Sequence, residues 1–428
     1  MTSVMIGPLV GDKRVTPTLS DLTRVFGRIG VLSFGGPAAQ ISLMHDELVE
    51  KQGWLTEKQF LGALSFCMLL PGPEAMQLAT YAGWRLRGTL GGLIAGLLFV
   101  LPGALVILAL ALGYAFYGQM PIVQAVFAGI KAAVIAIVLR ALITLSRKAL
   151  DGWDSWTLAL IGFGAMFFLK LPFPLLIAAA ALWGYLTTRT VADQADTGPL
   201  PGMAQTMTTV ALWSGLWITP IALAIALDAA FLTDIALFFS TLAVVTFGGA
   251  YAVLAYMTQA VVDTHGWLST AQMIDALGLA ETTPGPLILV TQFVGLLAGF
   301  AQGGVVLALL AGAMTLWVTF VPCFLWIFAG APYVEALLAR PRLKGALSAI
   351  SAVVVGVILN LSFWFALHVI FAIVDEGRFG PRPEWDSVIW PNIAFIALAI
   401  TLLIGLRWSV LRVLLGMAAL TAGVYLIG

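Results

Sequence analysis

Long apolar runs, separated by short polar loops, fill the chain from residue 20 to its end. About 13 of them are long enough to cross a bilayer as helices. They lie near 20–45, 59–83, 89–116, 121–146, 154–169, 171–188, 207–229, 233–262, 270–298, 302–330, 343–373, 390–405 and 408–427. The pattern predicts an all-α integral membrane protein with about 13 transmembrane segments. The short pairs 154–169 with 171–188 and 390–405 with 408–427 form either tilted spans or helical hairpins.

One stretch of about 50 residues occurs twice, 213 positions apart. The first copy has SFGGP at 33–37, GWLT at 53–56 and LPGPE at 70–74, and the second has TFGG at 246–249, GWLS at 266–269 and TPGP at 283–286. Beyond this stretch the offset becomes 220, which aligns Pro102 with Pro322 and Lys131 with Ser351. Apolar segments broken at equivalent positions of two halves are typical of transporters, where they mark the substrate site.

The two copies begin at the first and the eighth apolar segment. An odd number of segments separates them, so the two halves are predicted to enter the membrane from opposite faces, as an inverted-topology repeat. The extra segment 207–229 makes this parity possible. The predicted organisation is a cytoplasmic leader at 1–19, an N-terminal transporter half at 20–188, a linker plus extra transmembrane helix at 189–232 and a C-terminal transporter half at 233–428.

Composition and charge placement agree with a multi-pass membrane protein. Hydrophobic residues make up 61% of the chain and charged residues 10%, and the mean hydropathy is +1.02. With the N-terminus in the cytoplasm, fourteen Lys and Arg residues lie inside and five outside. This bias predicts an inner (plasma) membrane protein with a cytoplasmic N-terminus. The loop 263–269, which this arrangement places inside, contains neither Lys nor Arg.

The chain offers no pattern for a metal, a nucleotide or a nucleophile. Cys67 and Cys323 lie inside apolar segments, and the three histidines are scattered along the chain. There is no Walker sequence and no GxGxxG motif. We therefore expect no metal, no cofactor, no enzymatic activity and no nucleic-acid partner.

The helix breaks carry the candidate chemistry. A proline at the first position of a helix lacks only an N–H group that would be unpaired anyway. A new helix that starts at such a break presents free N–H groups and a partial positive charge, which is an anion-binding arrangement. The alternative is that the glycines allow close helix packing and the prolines only kink the chain. Four breaks in a matched repeat favour a binding site that lines a cavity.

Five ionisable residues accompany the breaks. Lys131 is predicted near the middle of its segment, either facing the anion or paired with Glu281 or Glu74. Arg28 is either a cation leading to the site or a positive-inside anchor. Glu74 either caps its helix or competes with the anion and carries a proton, and Glu281 is a second buried carboxylate. Arg140 is expected to snorkel to the interface.

The predicted substrate-binding set combines four of these ionisable residues, all except Arg140, with the breaks. It consists of Arg28, Phe34, Gly35, Gly36, Pro37, Pro71, Gly72, Pro73, Glu74, Gln77, Lys131, Gly248, Gly249, Glu281, Thr283, Pro284, Gly285 and Pro286.

The motifs resemble the chromate ion transporter family in its long form, in which two halves are fused. The resemblance is carried by FGGP at 34–37, LPGPEAMQLATY at 70–81, GIKAAV at 129–134, FGG at 247–249 and TPGPLI at 283–288. It implies export of chromate, competed by sulfate. Ala250 replaces the proline found at Pro37, and Leu287 replaces Glu74, so the two halves are not equivalent.

The sequence therefore predicts a secondary active transporter that exports chromate, a tetrahedral oxyanion, driven by membrane potential, a proton gradient or both. Sulfate uptake is the alternative within transport. An ion channel would need rings of polar residues, and a membrane enzyme would need a metal or a nucleophile with its base; neither pattern occurs. The oxyanion and the lipid bilayer are the expected partners. Protons and a second copy of the chain, in a homodimer, remain open.

Overall fold

The computed structural model describes residues 17–188, 203–247, 250–338, 340–377 and 380–427. Most of the predicted leader, the linker 189–202 and the glycines Gly248 and Gly249 lie outside these ranges. The described helices are α1 Leu19–Leu32, α2 Gly36–His45, α3 Glu57–Cys67, α4 Glu74–Tyr117, α5 Pro121–Ala149, α6 Trp153–Phe167, α7 Phe173–Thr187, α8 Met203–Ala226, α9 Ala230–Val245, α10 Ala250–Gln259, α11 Thr270–Thr282, α12 Val290–Gly330, α13 Val334–Leu338, α14 Pro341–Ile370, α15 Trp390–Ile400 and α16 Val410–Ile427.

Six of the described helices are long and apolar enough to cross a membrane, and several shorter apolar helices accompany them. The predicted class, a helical membrane protein, is confirmed. The number of spans and the inverted arrangement of the halves stay predictions. A small antiparallel β-hairpin between α14 and α15, with β1 Val374–Gly377 and β2 Gly380–Pro383, departs from a purely helical chain.

The two longest helices are each folded back on themselves. Arg87 and Gly88 in α4 leave helical geometry, with φ values of −142° and 63°, and Gly303 and Gly304 do the same in α12, with −160° and 72°. Gly83 consequently packs against the backbone of Gly91, eight residues further along. We call the parts before and after each turn the first and second arm. The sequence-predicted boundaries at 83–89 and 298–302 fall at these turns.

Matched residues of the two halves adopt matched local structure. Thr56 and Ser269 each cap a helix through a capping box with a glutamine three residues later, Gln59 and Gln272. Gly53 and Gly266 both have φ of +60°. Helices α2 and α10 both continue into a π-helical turn, at Asp46–Lys51 and Ala260–Thr264. The capping residues, the two glycines and the ends of the π-helical turns keep the 213-residue offset. The repeat seen in sequence is therefore also a repeat of backbone conformation.

Each predicted break in the first half is a sharp turn between two helices. Gly35 and Gly36 turn the chain from α1 into α2, with φ of 89° and 81°. Arg28 of α1 then lies 3.7 Å from Glu47, just after α2, so α2 folds back beside α1. We call α1–α2 hairpin A. Phe66 and Tyr81, on either side of the Pro71–Pro73 break, have ring centroids 5.8 Å apart, which makes α3 and the first arm of α4 hairpin B.

The second half repeats this arrangement. Phe238 of α9 contacts Tyr256 of α10 at 5.8 Å, and Phe231 at the start of α9 contacts Trp267 at 6.1 Å. The loop after α10 therefore lies beside the start of α9, and α9–α10 form hairpin C. Helix α11 and the first arm of α12 form hairpin D, with its turn at Gly285 (φ 84°). The hairpin tips are tip A (33–36), tip B (68–73), tip C (246–249, of which 246 and 247 are described) and tip D (283–286).

Candidate functional site

The tips of the four hairpins are joined by reciprocal hydrogen bonds across the two halves. The Gly72 N–H of tip B donates to the Thr246 carbonyl of tip C at 2.8 Å, and the Gly285 N–H of tip D donates to the Ser33 carbonyl of tip A at 2.9 Å. Both donors and both acceptors are related by the 213-residue offset. The breaks predicted from sequence therefore meet at one place, and each half contributes to it.

Two glutamine side chains hold further tip carbonyls. Gln40 Nε2 donates to the carbonyls of Gly285, at 2.6 Å, and Ser33, at 3.3 Å. Gln77 Nε2 donates to the Pro71 carbonyl at 2.6 Å. The carbonyls of Ser33, Pro71, Thr246 and Gly285 at the tips thus all accept from donors.

The helices that start at the tips are not capped. No side chain accepts from the first turn of α2, of α4 or of the Leu287–Leu289 turn that leads into α12. Among the described residues, the N–H groups of Glu74, Ala75, Leu287 and Ile288 have no acceptor. Free N–H groups at helix N-termini favour an anion. With tip carbonyls bound and first-turn N–H groups free, the tips offer hydrogen-bond donors to an anion.

These N-termini surround a small cavity. It is lined by Pro37, Gln40, Gly72, Pro73, Glu74, Ala75, Pro286, Leu287 and Ile288. Hairpins A, B and D all contribute. Of the predicted site residues, the cavity brings together Pro37, Gly72, Pro73, Glu74 and Pro286. Pro71, Thr283, Pro284 and Gly285 lie in tips B and D beside it, and Gly35 and Gly36 form tip A.

The cavity has one ionisable side chain, Glu74, among its lining residues. Glu74 occupies the first turn of α4, where a carboxylate is favoured by the helix dipole. Its counterpart in the second half, Leu287, lines the same cavity. The difference between the halves noted in the sequence therefore lies inside the candidate site.

Close packing fixes the tips from outside. A side chain on Gly72 would meet Cys323 Sγ at 2.9 Å and Gln77 Nε2 at 2.8 Å. A side chain on Gly103 would collide with the Pro284 carbonyl of tip D. Tip B and tip D are thus held against the second arms of α12 and α4 without room for adjustment.

Lys131 lies in a buried ion pair outside the cavity lining. Its Nζ is 3.4 Å from Asp275 Oδ1 of α11, and the hydroxyl of Tyr114 donates to Asp275 Oδ2 at 2.8 Å. The structure thus realises the ion-pair alternative, with Asp275 in place of the Glu74 or Glu281 partner weighed from sequence. Phe34 is partly exposed at tip A, and Arg28 contacts Glu47.

Glu281 is buried and also lies outside the cavity lining. The Tyr251 hydroxyl donates to Glu281 Oε1 at 2.7 Å. Thr283 donates to the Ala280 carbonyl within its own helix end. Gly248 and Gly249, also predicted for the site, lie outside the described residues.

Sequence reasoning missed five residues of this region. Gln40, Ala75, Leu287 and Ile288 line the cavity, and Asp275 holds Lys131. A polar residue three positions after Pro37 was a usable signal for Gln40. The others carry no signal of their own, because three contribute backbone N–H groups and the Asp275 pairing joins distant segments.

A surface cluster in the loop after α2 resembles a metal-ligand set. His45, Asp46 and Glu50 place one ligand atom each within 4.8 Å of one another. His45 Nε2, however, is bonded to Glu57 at 2.6 Å, and this bond raises the pKa of His45 above its ordinary value. The contact ties the end of hairpin A to the start of hairpin B.

Comparisons with known proteins agree on one family. The family model described as chromate transporter matches residues 20–185 and 233–424. A probable chromate transport protein of Synechococcus elongatus is 31% identical over 80% of this chain and 83% of its own length. Chromate transport proteins of Cupriavidus metallidurans and Pseudomonas aeruginosa are 31% and 33% identical, over 80% and 78% of this chain and 81% and 77% of their own lengths. No solved structure matches the chain.

Proposed function

The chain belongs to the chromate transporter family, and from this premise we propose that it exports chromate through the cavity at the hairpin tips. The observation that carries the proposal is the convergence of uncapped helix N-termini from both halves on one cavity, while the tip carbonyls are occupied. A tetrahedral oxyanion would accept from the N–H groups of Glu74, Ala75, Leu287 and Ile288. The relatives named for chromate transport support chromate as the oxyanion.

The hairpins suggest how the site sits in the membrane. We infer that hairpins A and B enter from the cytoplasmic face, and hairpins C and D from the opposite face, and that all four turn back at the bilayer centre. The Arg28–Glu47 contact supports this for hairpin A. For hairpin C, one cavity is lined by Asp263 of the loop after α10 together with Lys170 and Pro381. Both Lys170 and Pro381 lie in loops predicted to be outside. The two halves then form an inverted repeat, because their hairpins enter from opposite faces, although no hairpin crosses the bilayer.

This topology exchanges the sides of two loops and leaves the other loops unchanged. The segment 46–58 is now cytoplasmic, and it brings Lys51 and Lys58 to the inside. The loop 263–269, which has no Lys or Arg, is now outside. Sixteen of the nineteen Lys and Arg residues counted in loops then lie inside. The stronger bias supports an inner-membrane protein with a cytoplasmic N-terminus, two transporter halves at 20–188 and 233–428, and α8 as the extra helix.

Membrane potential favours export. Each negative charge that crosses is worth about 2.3 kcal/mol per 100 mV, and twice that for a dianion. With an inside-negative potential this drives an oxyanion outward, whereas uptake of a dianion needs at least two protons only to cancel the charge. Efflux driven by the potential is therefore the proposed direction; proton exchange through Glu74 is the alternative coupling, and sulfate is the alternative substrate.

The flux experiment uses chromate-loaded vesicles containing the purified protein, with potential and pH gradient set separately. An inside-negative potential at equal pH should support release, and collapsing the potential should slow it. Release that depends only on the proton gradient would replace this picture with obligatory proton exchange. Absence of chromate flux under all gradients, with sulfate flux present, would reassign the substrate.

A substitution at the first helical position tests the site itself. Leu287→Pro removes one N–H group that lines the cavity, and proline is tolerated at this position. Loss of one hydrogen bond to a charged group, about 1.5–3 kcal/mol, should weaken apparent chromate affinity roughly tenfold or more. Leu287→Ala loses at least as much packing but keeps the N–H and serves as the matched control. If both variants lose the same chromate affinity, the N–H of Leu287 does not contribute to chromate binding.

A further inference from the structure

Gln40 presents an acceptor in a cavity otherwise built from donors. Its side chain is 1% exposed and lines the cavity. The amide orientation is fixed, because both N–H bonds of Nε2 go to backbone carbonyls, of Gly285 and Ser33. Turning the amide over would set Oε1 against those two carbonyl oxygens. Oε1 is therefore the polar atom of Gln40 that has no partner in the described part of the chain.

This oxygen is buried and has no hydrogen-bond donor among the described residues. A buried acceptor without a donor is unfavourable, and an oxyanion stripped of protons cannot supply one. The cavity thus combines four N–H groups that suit anionic oxygens with one lining residue whose side-chain oxygen lacks a donor within the described ranges. An ion that has both kinds of group satisfies the whole set.

We propose that the cavity takes its oxyanion in the singly protonated form, and that the hydroxyl of this ion donates a hydrogen bond to Oε1 of Gln40. The inference rests on the proposed function and specifies the chemical form of its substrate. The remaining oxygens accept from the first-turn N–H groups of α4 and α12. A hydrogen-oxyanion also brings one negative charge, not two, beside the carboxylate of Glu74, which reduces like-charge repulsion.

This chemistry separates chromate from sulfate, which share charge and shape as dianions. Hydrogenchromate keeps its proton up to nearly neutral pH. Hydrogensulfate is a much stronger acid and keeps its proton only under strongly acidic conditions. Near neutral pH only chromate can therefore offer the hydroxyl. Sites built to hydrogen-bond a substrate hydroxyl discriminate strongly against analogues that lack it.

Other ionisable groups near the tips must be separated from the substrate in any pH experiment. Glu74 is the one ionisable side chain among the lining residues, and the Cys323 thiol lies behind Gly72. Lys131, Asp275 and Glu281 are engaged elsewhere. Glu74 is thus the rival carrier of the proton, and the Glu74→Gln variant removes it.

The decisive experiment measures the charge moved per chromate in vesicles with equal pH on both sides. At a potential of 100 mV, one charge per ion gives an equilibrium concentration ratio of about 50-fold, and two charges give about 2,500-fold. We expect the smaller ratio in the wild type and in Glu74→Gln. A 2,500-fold ratio in the wild type would overturn the proposal while leaving chromate transport intact. The smaller ratio in the wild type and the larger in Glu74→Gln would place the proton on Glu74.

Variants of the two buried glutamines supply the second arm. At zero potential and fixed total chromate, wild-type release should fall with rising pH in parallel with the hydrogenchromate fraction. Gln40→Met should slow release at least tenfold at low pH and flatten this profile. Gln292→Met is the matched control, since Gln292 also has a buried, unpartnered Oε1 and a carbonyl-bound Nε2 but does not line the cavity. An unchanged profile in Gln40→Met would overturn the proposal. Absence of chromate flux in the wild type would defeat the proposed function and this inference together.

Discussion

Gly103 shows how one residue can govern the site from outside it. It lies on the second arm of α4, where any side chain would collide with the Pro284 carbonyl of tip D. Gly103→Val should push tip D away from Ser33 and reduce chromate release at least tenfold, with roughly 1–3 kcal/mol of destabilisation from overpacking. Vesicle flux and a detergent melting curve measure the two effects.

The control for this substitution lies on the same arm. A side chain on Gly113 has nothing within 4 Å, so Gly113→Val should change neither flux nor melting temperature appreciably. If Gly103→Val transports like the wild type, tip D does not depend on this contact.

Lys131 and Asp275 can be tested as a pair. Breaking a buried ion pair from one side is strongly destabilising, about 3–5 kcal/mol, because the other charge is left alone. Lys131→Met or Asp275→Leu alone should therefore reduce the amount of folded protein in the membrane. The double variant should recover much of it, as measured by fluorescence-detected size exclusion.

Transport by the double variant separates structure from substrate binding. If Lys131 only pairs with Asp275, the recovered protein should release chromate at a rate near that of the wild type. Recovered folding without transport would return Lys131 to the substrate path, as the sequence-based prediction had it.

For individual residues, the sequence identifies side chains whose charge is unusual for the apolar segment in which they lie. Lys131 and Glu281 stand out as charges in apolar segments. Glu281 is indeed buried and Lys131 is largely so, and each lies beside a polar partner. Their partners could not be found in this way. Asp275 is 144 positions from Lys131, and Tyr251 is 30 from Glu281, so only the packing of separate helices reveals either pairing.

Among the elements, the hairpins are the feature that hydrophobicity could not decide. The run 20–45 is long enough to cross a bilayer once, and equally long enough to enter and leave as two short helices. The Gly35–Gly36 turn favours the second, because glycine can adopt the positive φ values with which the chain turns here from α1 into α2. Sequence located this turn through the glycines but could not give its angle.

Cysteine labelling can place the hairpin loops. Gln52→Cys, after hairpin A, should react with an impermeant maleimide only from the cytoplasmic face, and Thr264→Cys, after hairpin C, only from the opposite face. Native Cys67 and Cys323 are both buried and give the background. If Gln52→Cys were labelled only from outside and Thr264→Cys only from the cytoplasm, the broken segments would cross the bilayer fully. If both were labelled from the same face, an inverted repeat would be excluded.

For the whole molecule, the cavity is a product of both halves. The protein can be expressed as two separate chains, residues 1–202 with hairpins A and B and residues 203–428 with hairpins C and D. We expect chromate resistance in a sensitive strain only when both chains are present, since the Gly72–Thr246 and Gly285–Ser33 bonds and the cavity lining join the two. Resistance from either chain alone would show that one half suffices.

The tip bonds also bear on how duplicated halves can diverge. At Gly72 and Gly285 the donor is the main chain, so among point substitutions only proline removes the N–H itself. The matched acceptors, Ser33 and Thr246, are likewise backbone carbonyls. Side-chain substitutions that keep the close packing at Gly72 and Gly103 therefore leave these main-chain bonds in place. The second half carries Ala250 and Leu287 where the first has Pro37 and Glu74. If the two halves were joined through side chains, substitutions in one half would break the joint more easily. A main-chain joint therefore lets one half specialise while the two halves stay connected.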